Sequence, residues 1–105
     1  MAQPAIRAAQ LADAIRDTIA GWLHADYPGS ILTVSDVTLT PDNRTATVWI
    51  LALTDRDRSA LKRISRDGAR YTHRLRHALT RRNVPELTFR EDMPETERAA
   101  LLSGE

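Results

Sequence analysis

Apolar side chains recur along this chain in two rhythms, and the changes of rhythm mark its elements. Leu11, Ile15, Ile19, Trp22 and Leu23 fall at helical spacing and draw one stripe. They predict an opening helix that fades between His24 and Asp26, where "DYPGS" supplies turn chemistry. The rhythm then shortens to two. "ILTVSDVTLT" and "TATVWILAL", joined by "PDNR", predict an antiparallel hairpin. In the second strand Ala46, Val48, Ile50 and Ala52 share one face, with Thr47, Trp49 and Leu51 on the other. The first strand slips phase between Leu32/Val34 and Val37/Leu39, which predicts a bulge near Ser35 and Asp36.

Helical spacing returns after "TDRD", with Thr54 as N-cap and Asp57 three positions on in a capping-box-like arrangement. This helix buries Leu61 and Ile64 and turns Arg63 and Arg66 outward. Glycine inside a helix costs about 1 kcal/mol relative to alanine, so Gly68 reads as a break that re-aims the chain. A further helix follows on the stripe Tyr71, Leu75, Ala78 and Leu79. It ends near Asn83, because Pro85 disfavours helix at the residue before it. "ELTFR" predicts a third strand, and Asp92 to Gly104 a short final helix. The order is α-β-β-α-α-β-α, an α+β fold with helices on one face of a three-stranded sheet.

At 105 residues with 42% hydrophobic and 28% charged positions, the chain is a single domain, residues 1–105, with one modest core. It has no cysteine, which removes disulfides and thiolate metal sites. No signal peptide and no membrane span are expected, and the reading is a cytoplasmic monomer. The net charge of +1 conceals an asymmetry. From Arg56 to Arg82, ten basic side chains face only Asp57 and Asp67, a local +8, while six acidic and two basic residues follow, a local −4.

On a helical wheel Arg70, Arg74, His77 and Arg81 fall together opposite Leu75, and Arg63 and Arg66 bring charge up to the break from the other side. Guanidinium groups pair with phosphate oxygens bidentately, so this surface suits nucleic acid. A solvated charged face is the alternative, and the near absence of acids argues against it. Trp49 and Leu51, on the face away from the helices, could stack bases or meet a protein. His73 and His77 have the spacing of two metal ligands on a helix, but lack the glutamate of HExxH and sit among arginines, so no metal is assigned. Ser59 and Ser65 have no activating base, and Asp55 and Asp57 read as a helix start. Arg82 points toward the apolar stripe and calls for a half-buried acceptor. No catalytic constellation, cofactor or small-molecule substrate is indicated.

The pieces "RAAQLADAIRDTIAGWL", "LTVSDVTLTPDNRTATVWI" and "VPELTFRED" give the chain, from near Arg7 to about Leu102, a resemblance to the ribosome-binding factor A family. That resemblance implies a fold similar to type II KH domains. It also implies binding to the immature small (30S) ribosomal subunit and its 16S rRNA during late maturation and cold adaptation, without enzymatic activity. The family carries an interhelical kink of the form Ala-x-Gly, where this chain reads "RDGA". Aligning on Gly68 puts Arg66 at the alanine position; an ungapped alignment puts Asp67 and Ala69 at the alanine and glycine positions. The kink is therefore expected at Asp67, Gly68 and Ala69. The RNA-facing set is Arg63, Arg66, Arg70, Arg74, His77 and Arg81. The alternatives are a KH-like module for another RNA, or a protein-interaction module using the sheet face.

Overall fold

The computed structural model of the chain describes residues 4–79 and 83–92. Helix α1 spans Pro4–Asp26, strand β1 Leu32–Leu39 and strand β2 Thr45–Ala52. Helix α2 spans Asp55–Arg66, helix α3 Gly68–Ala78 and strand β3 Glu86–Glu91. This is the expected α-β-β-α-α-β order. The proposed final helix, and with it Arg81 and Arg82, lies outside the described residues. The sheet runs β1-β2-β3, antiparallel in the first pair and parallel in the second. A parallel pair needs a crossover, and α2 and α3 together supply it.

The bulge falls where the hydrophobic phase slips. Val34 pairs with Ile50 and Asp36 with Trp49, leaving Ser35 as the extra residue, its hydroxyl donating to the Trp49 carbonyl at 3.2 Å. That one insertion lets Val34 and Val37 both face the helices, and both are buried. The hairpin turns through Asn43 at φ 59°, a conformation asparagine tolerates better than most residues. Asp42 braces it, its carboxylate accepting from the Thr40 hydroxyl at 2.7 Å and the Arg44 N–H at 3.1 Å. Those hydrogen bonds hold the Asp42 pKa below its ordinary value, the Thr40 hydroxyl contributing most.

The core lies between the helices and one sheet face: Leu11, Ile15, Ile19 and Leu23 from α1, Ala46, Val48, Ile50 and Ala52 from β2, Leu61 and Ile64 from α2, Leu75 from α3, and Leu87 and Phe89 from β3. Two expectations need correction. Helix α3 ends at Ala78, which is exposed, and Leu79 is already extended at φ −97°, ψ 126° and only half-buried. Trp49 is 2% exposed, and its indole N–H donates to the Thr38 hydroxyl of the neighbouring strand at 3.1 Å. It offers no stacking surface. Leu51, at 40%, keeps an exposed apolar patch with Ile31 and Leu53 at that end of the sheet.

Candidate nucleic-acid interface

The start of α2 is set as the sequence suggests, with one difference. Asp57 N–H donates to the Thr54 hydroxyl at 3.1 Å, as an N-cap requires. The Asp57 carboxylate, however, does not complete a capping box. It is 4% exposed and accepts from the Ile31 N–H at 3.1 Å, so it ties α2 to the turn that follows α1. That tie positions the basic face of α2 beside the turn.

The break between α2 and α3 sits at Asp67, with φ −91° and ψ 15°, and not at Gly68. Asp67 N–H is shared between the Arg63 and Ile64 carbonyls, both at 3.1 Å, and its carbonyl already accepts from Tyr71 N–H. Gly68 is the first residue of α3 and stays outside the left-handed region; a Cβ there would meet only the Leu87 carbonyl at an ordinary 3.5 Å. What fixes α3 is Thr72, buried at 3%. Its hydroxyl donates to the Gly68 carbonyl at 3.0 Å and accepts from the Leu87 N–H at 2.9 Å, pinning the helix to β3.

The proposed RNA-facing residues separate into groups. Arg63 and Arg70 line one groove together, facing Tyr27 across the break. Arg66 lines a different groove, with Lys62 and Arg58, between α2 and β3. Arg74 is committed within the molecule: it binds the Asp26 carboxylate at 3.0 Å and lies 4.2 Å over the Trp22 ring. Tyr71 donates to the same Asp26 oxygen at 2.8 Å. Burial first, and then this hydrogen bond, push the Tyr71 phenol above its ordinary value. His77 faces His73, with their Nε2 atoms 3.2 Å apart. Among the described residues no third histidine or acid joins them. Helix α3 ends at Ala78, and Arg81 lies outside the described residues.

The remaining cations differ in their partners. Arg58 pairs with Glu91 at 3.0 Å and with Asp55 at 3.2 Å. Among the described residues Arg56, Arg63, Arg66 and Arg70 have no acidic side chain within ion-pair distance. Arg56 and Tyr27 are the residues that helical periodicity missed: Tyr27 lies off the helices, and Arg56 opens α2 before any stripe is visible. A larger hollow of about 910 Å³ at the other end mixes Asp42 and Glu86 with Arg44 and Arg76, so it has no dominant sign. Among the described residues, the α2–α3 face gathers four exposed arginines without an acidic partner at ion-pair distance.

A profile of the family described as ribosome-binding factor A matches residues 7–102. The chain belongs to the ribosome-binding factor A family. The crystal structure of ribosome-binding factor A from Thermus thermophilus superimposes with a TM-score of 0.68 at 26% identity, covering 80% of this chain and 94% of that one. The solution structure of a Thermotoga maritima protein assigned to ribosome binding factor A gives 0.68 at 23% identity, over 89% and 93% of the two chains, and supports the fold. No curated protein sequence matches the chain. A ribosome-binding factor is thus the frame in which the uncompensated arginines are to be understood.

Proposed function

We propose that this protein binds the immature small ribosomal subunit through its rRNA and assists late maturation, including in the cold, with no chemical step of its own. The observation that carries this is the set Arg56, Arg63, Arg66 and Arg70, exposed on α2 and α3 without acidic partners among the described residues, in a member of a ribosome-binding family. Free guanidinium groups on rigid helices engage phosphates without first breaking an internal ion pair. Binding by such contacts tolerates sequence and weakens steeply with salt. The protein would hold one rRNA conformation by charge and shape, then leave when the mature conformation no longer fits. It would act as a cytoplasmic monomer. Among the described residues no helix is long and apolar enough to cross a membrane.

Co-sedimentation with precursor and mature small subunits, at low and moderate salt, tests this. Salt-sensitive binding that favours precursors is expected. Equal binding to subunits and to unrelated RNA would replace this reading with a general KH-like RNA module. Binding that survives high salt would move attention to the Ile31, Leu51 and Leu53 patch.

A further inference from the structure

The turn after α1 carries Tyr27 into the basic face. Tyr27 is half-buried against the core and borders two adjoining hollows. One, of about 250 Å³, is walled by Arg56, Ser59 and Arg63; the other, of about 300 Å³, by Arg63, Asp67 and Arg70. Tyr27 and Arg63 border both, so the two hollows lie side by side along one basic groove face. Arg56, Arg63 and Arg70 stand seven residues apart, about two helical turns, so they mark one side of α2 carried across the break into α3. Gly29 lies at the near end. A Cβ at that position would lie 2.5 Å from the Arg56 guanidinium, which crosses the turn where a side chain would otherwise sit.

Asp67 distinguishes this groove from a plain anion site. Its neighbour Asp26 is already used by Tyr71 and Arg74, whereas the half-buried Asp67 side chain makes no hydrogen bond or ion pair among the described residues. A bare phosphate or an acidic peptide would meet repulsion at Asp67. A nucleotide would not, because its base can donate an amino hydrogen to a carboxylate while its phosphates meet cations. A base inside a duplex has no free face for Tyr27, so the ligand is unpaired. The hollows sit at the small end of ligand-site sizes, ~300 Å³, which suits one nucleotide rather than a long stacked run.

We propose that this groove holds one unpaired nucleotide of single-stranded RNA, its base on Tyr27 with an amino group toward Asp67, and its neighbouring phosphates on Arg56, Arg63 and Arg70. This rests on the reading that the basic face meets RNA, and names what that face selects. Cytosine, adenine and guanine carry the required exocyclic amino group and uracil does not.

Fluorescence anisotropy with labelled hexanucleotides of cytidine or uridine, and with a duplex hexamer, tests it on the full chain. Cytidine is expected to bind more tightly than uridine, and the duplex least. Tyr27→Leu keeps apolar bulk and should weaken single-strand binding by roughly 5- to 100-fold, whereas Tyr27→Phe should retain it. Asp67→Ser should bring cytidine and uridine level. Thermal melting of each variant checks folding, and Tyr27→Phe guards against a loss of structure. Unchanged binding by Tyr27→Leu, or equal binding of the duplex or of a glutamate peptide, overturns the site. Co-sedimentation is run alongside. A wild type that binds subunits but no hexamer overturns the site and leaves the ribosomal reading standing; a wild type that binds neither overturns both.

Discussion

Arg63 on α2 and Arg74 on α3 were written by the same sequence pattern, a basic residue on the outer side of an amphipathic helix. They end in opposite states. Arg63 is exposed beside Tyr27 with no acidic partner among the described residues, while Arg74 lies on Trp22 with its charge held by Asp26 at 3.0 Å. The difference comes from α1, whose last residue brings a carboxylate to α3 but none to the middle of α2. A basic stripe is therefore a set of candidates, and the neighbouring elements decide which members remain available to a ligand.

If that contrast is correct, the two helices answer differently to substitution. The largest stability effect belongs to Thr72, which holds α3 against β3 and so sets how Arg63 and Arg70 share a groove. Thr72→Val removes the acceptor for the Leu87 N–H, and chemical denaturation should show a loss of about 2 kcal/mol. Tyr71→Phe removes the hydrogen bond to Asp26 and should cost about 1 kcal/mol at neutral pH. Its pH dependence has a definite sign. The folded-state phenol is raised above 10.0, so its contribution is intact below that pH and is lost as pH rises beyond it, where the unfolded chain ionises first. Denaturation followed above pH ~10 should decline less steeply in the phenylalanine variant.

Arg74→Met keeps aliphatic bulk over Trp22 and deletes the charge. Because the pair is about one-third exposed, at 35% and 36%, solvent screening limits the loss to ~0.5–1 kcal/mol. Arg63→Met should leave the melting temperature unchanged, since no internal partner is lost; an equal loss at both positions would erase the contrast. The smallest effect is a gain. Gly68→Ala meets only ordinary contact at 3.5 Å and improves helix propensity, so it should stabilise by about 0.5–1 kcal/mol without altering RNA binding.

Much of the fold was legible because local rules and burial agree. The stripe of α1, the alternation of β2 and the phase slip at Ser35 each record which side faces the core. The end of α3 was not legible. The stripe runs on through Leu79 with no glycine or proline, but the chain has to turn back to bring Glu86 beside Thr45, and this tertiary demand stops the helix at Ala78. The site was half legible for a related reason. Periodicity placed Arg63 and Arg70 on an outer surface, and both border the Tyr27 groove. It could not show that Asp26, 48 positions away, captures Arg74, or that Asp57 turns from its expected cap to an N–H 26 positions upstream. Gly68 drew attention to the right place, although the geometry of the break belongs to Asp67 and its tether to Thr72.

The most direct measurement of the central claim is co-sedimentation of the Arg63→Glu/Arg70→Glu variant with precursor small subunits across a salt series, beside wild type and Arg74→Met. The account predicts that the double reversal weakens binding by on the order of 100-fold or more at ~0.1 M salt and flattens the salt dependence, while Arg74→Met binds nearly as wild type. Wild-type affinity and an unchanged salt slope in the double variant would contradict it.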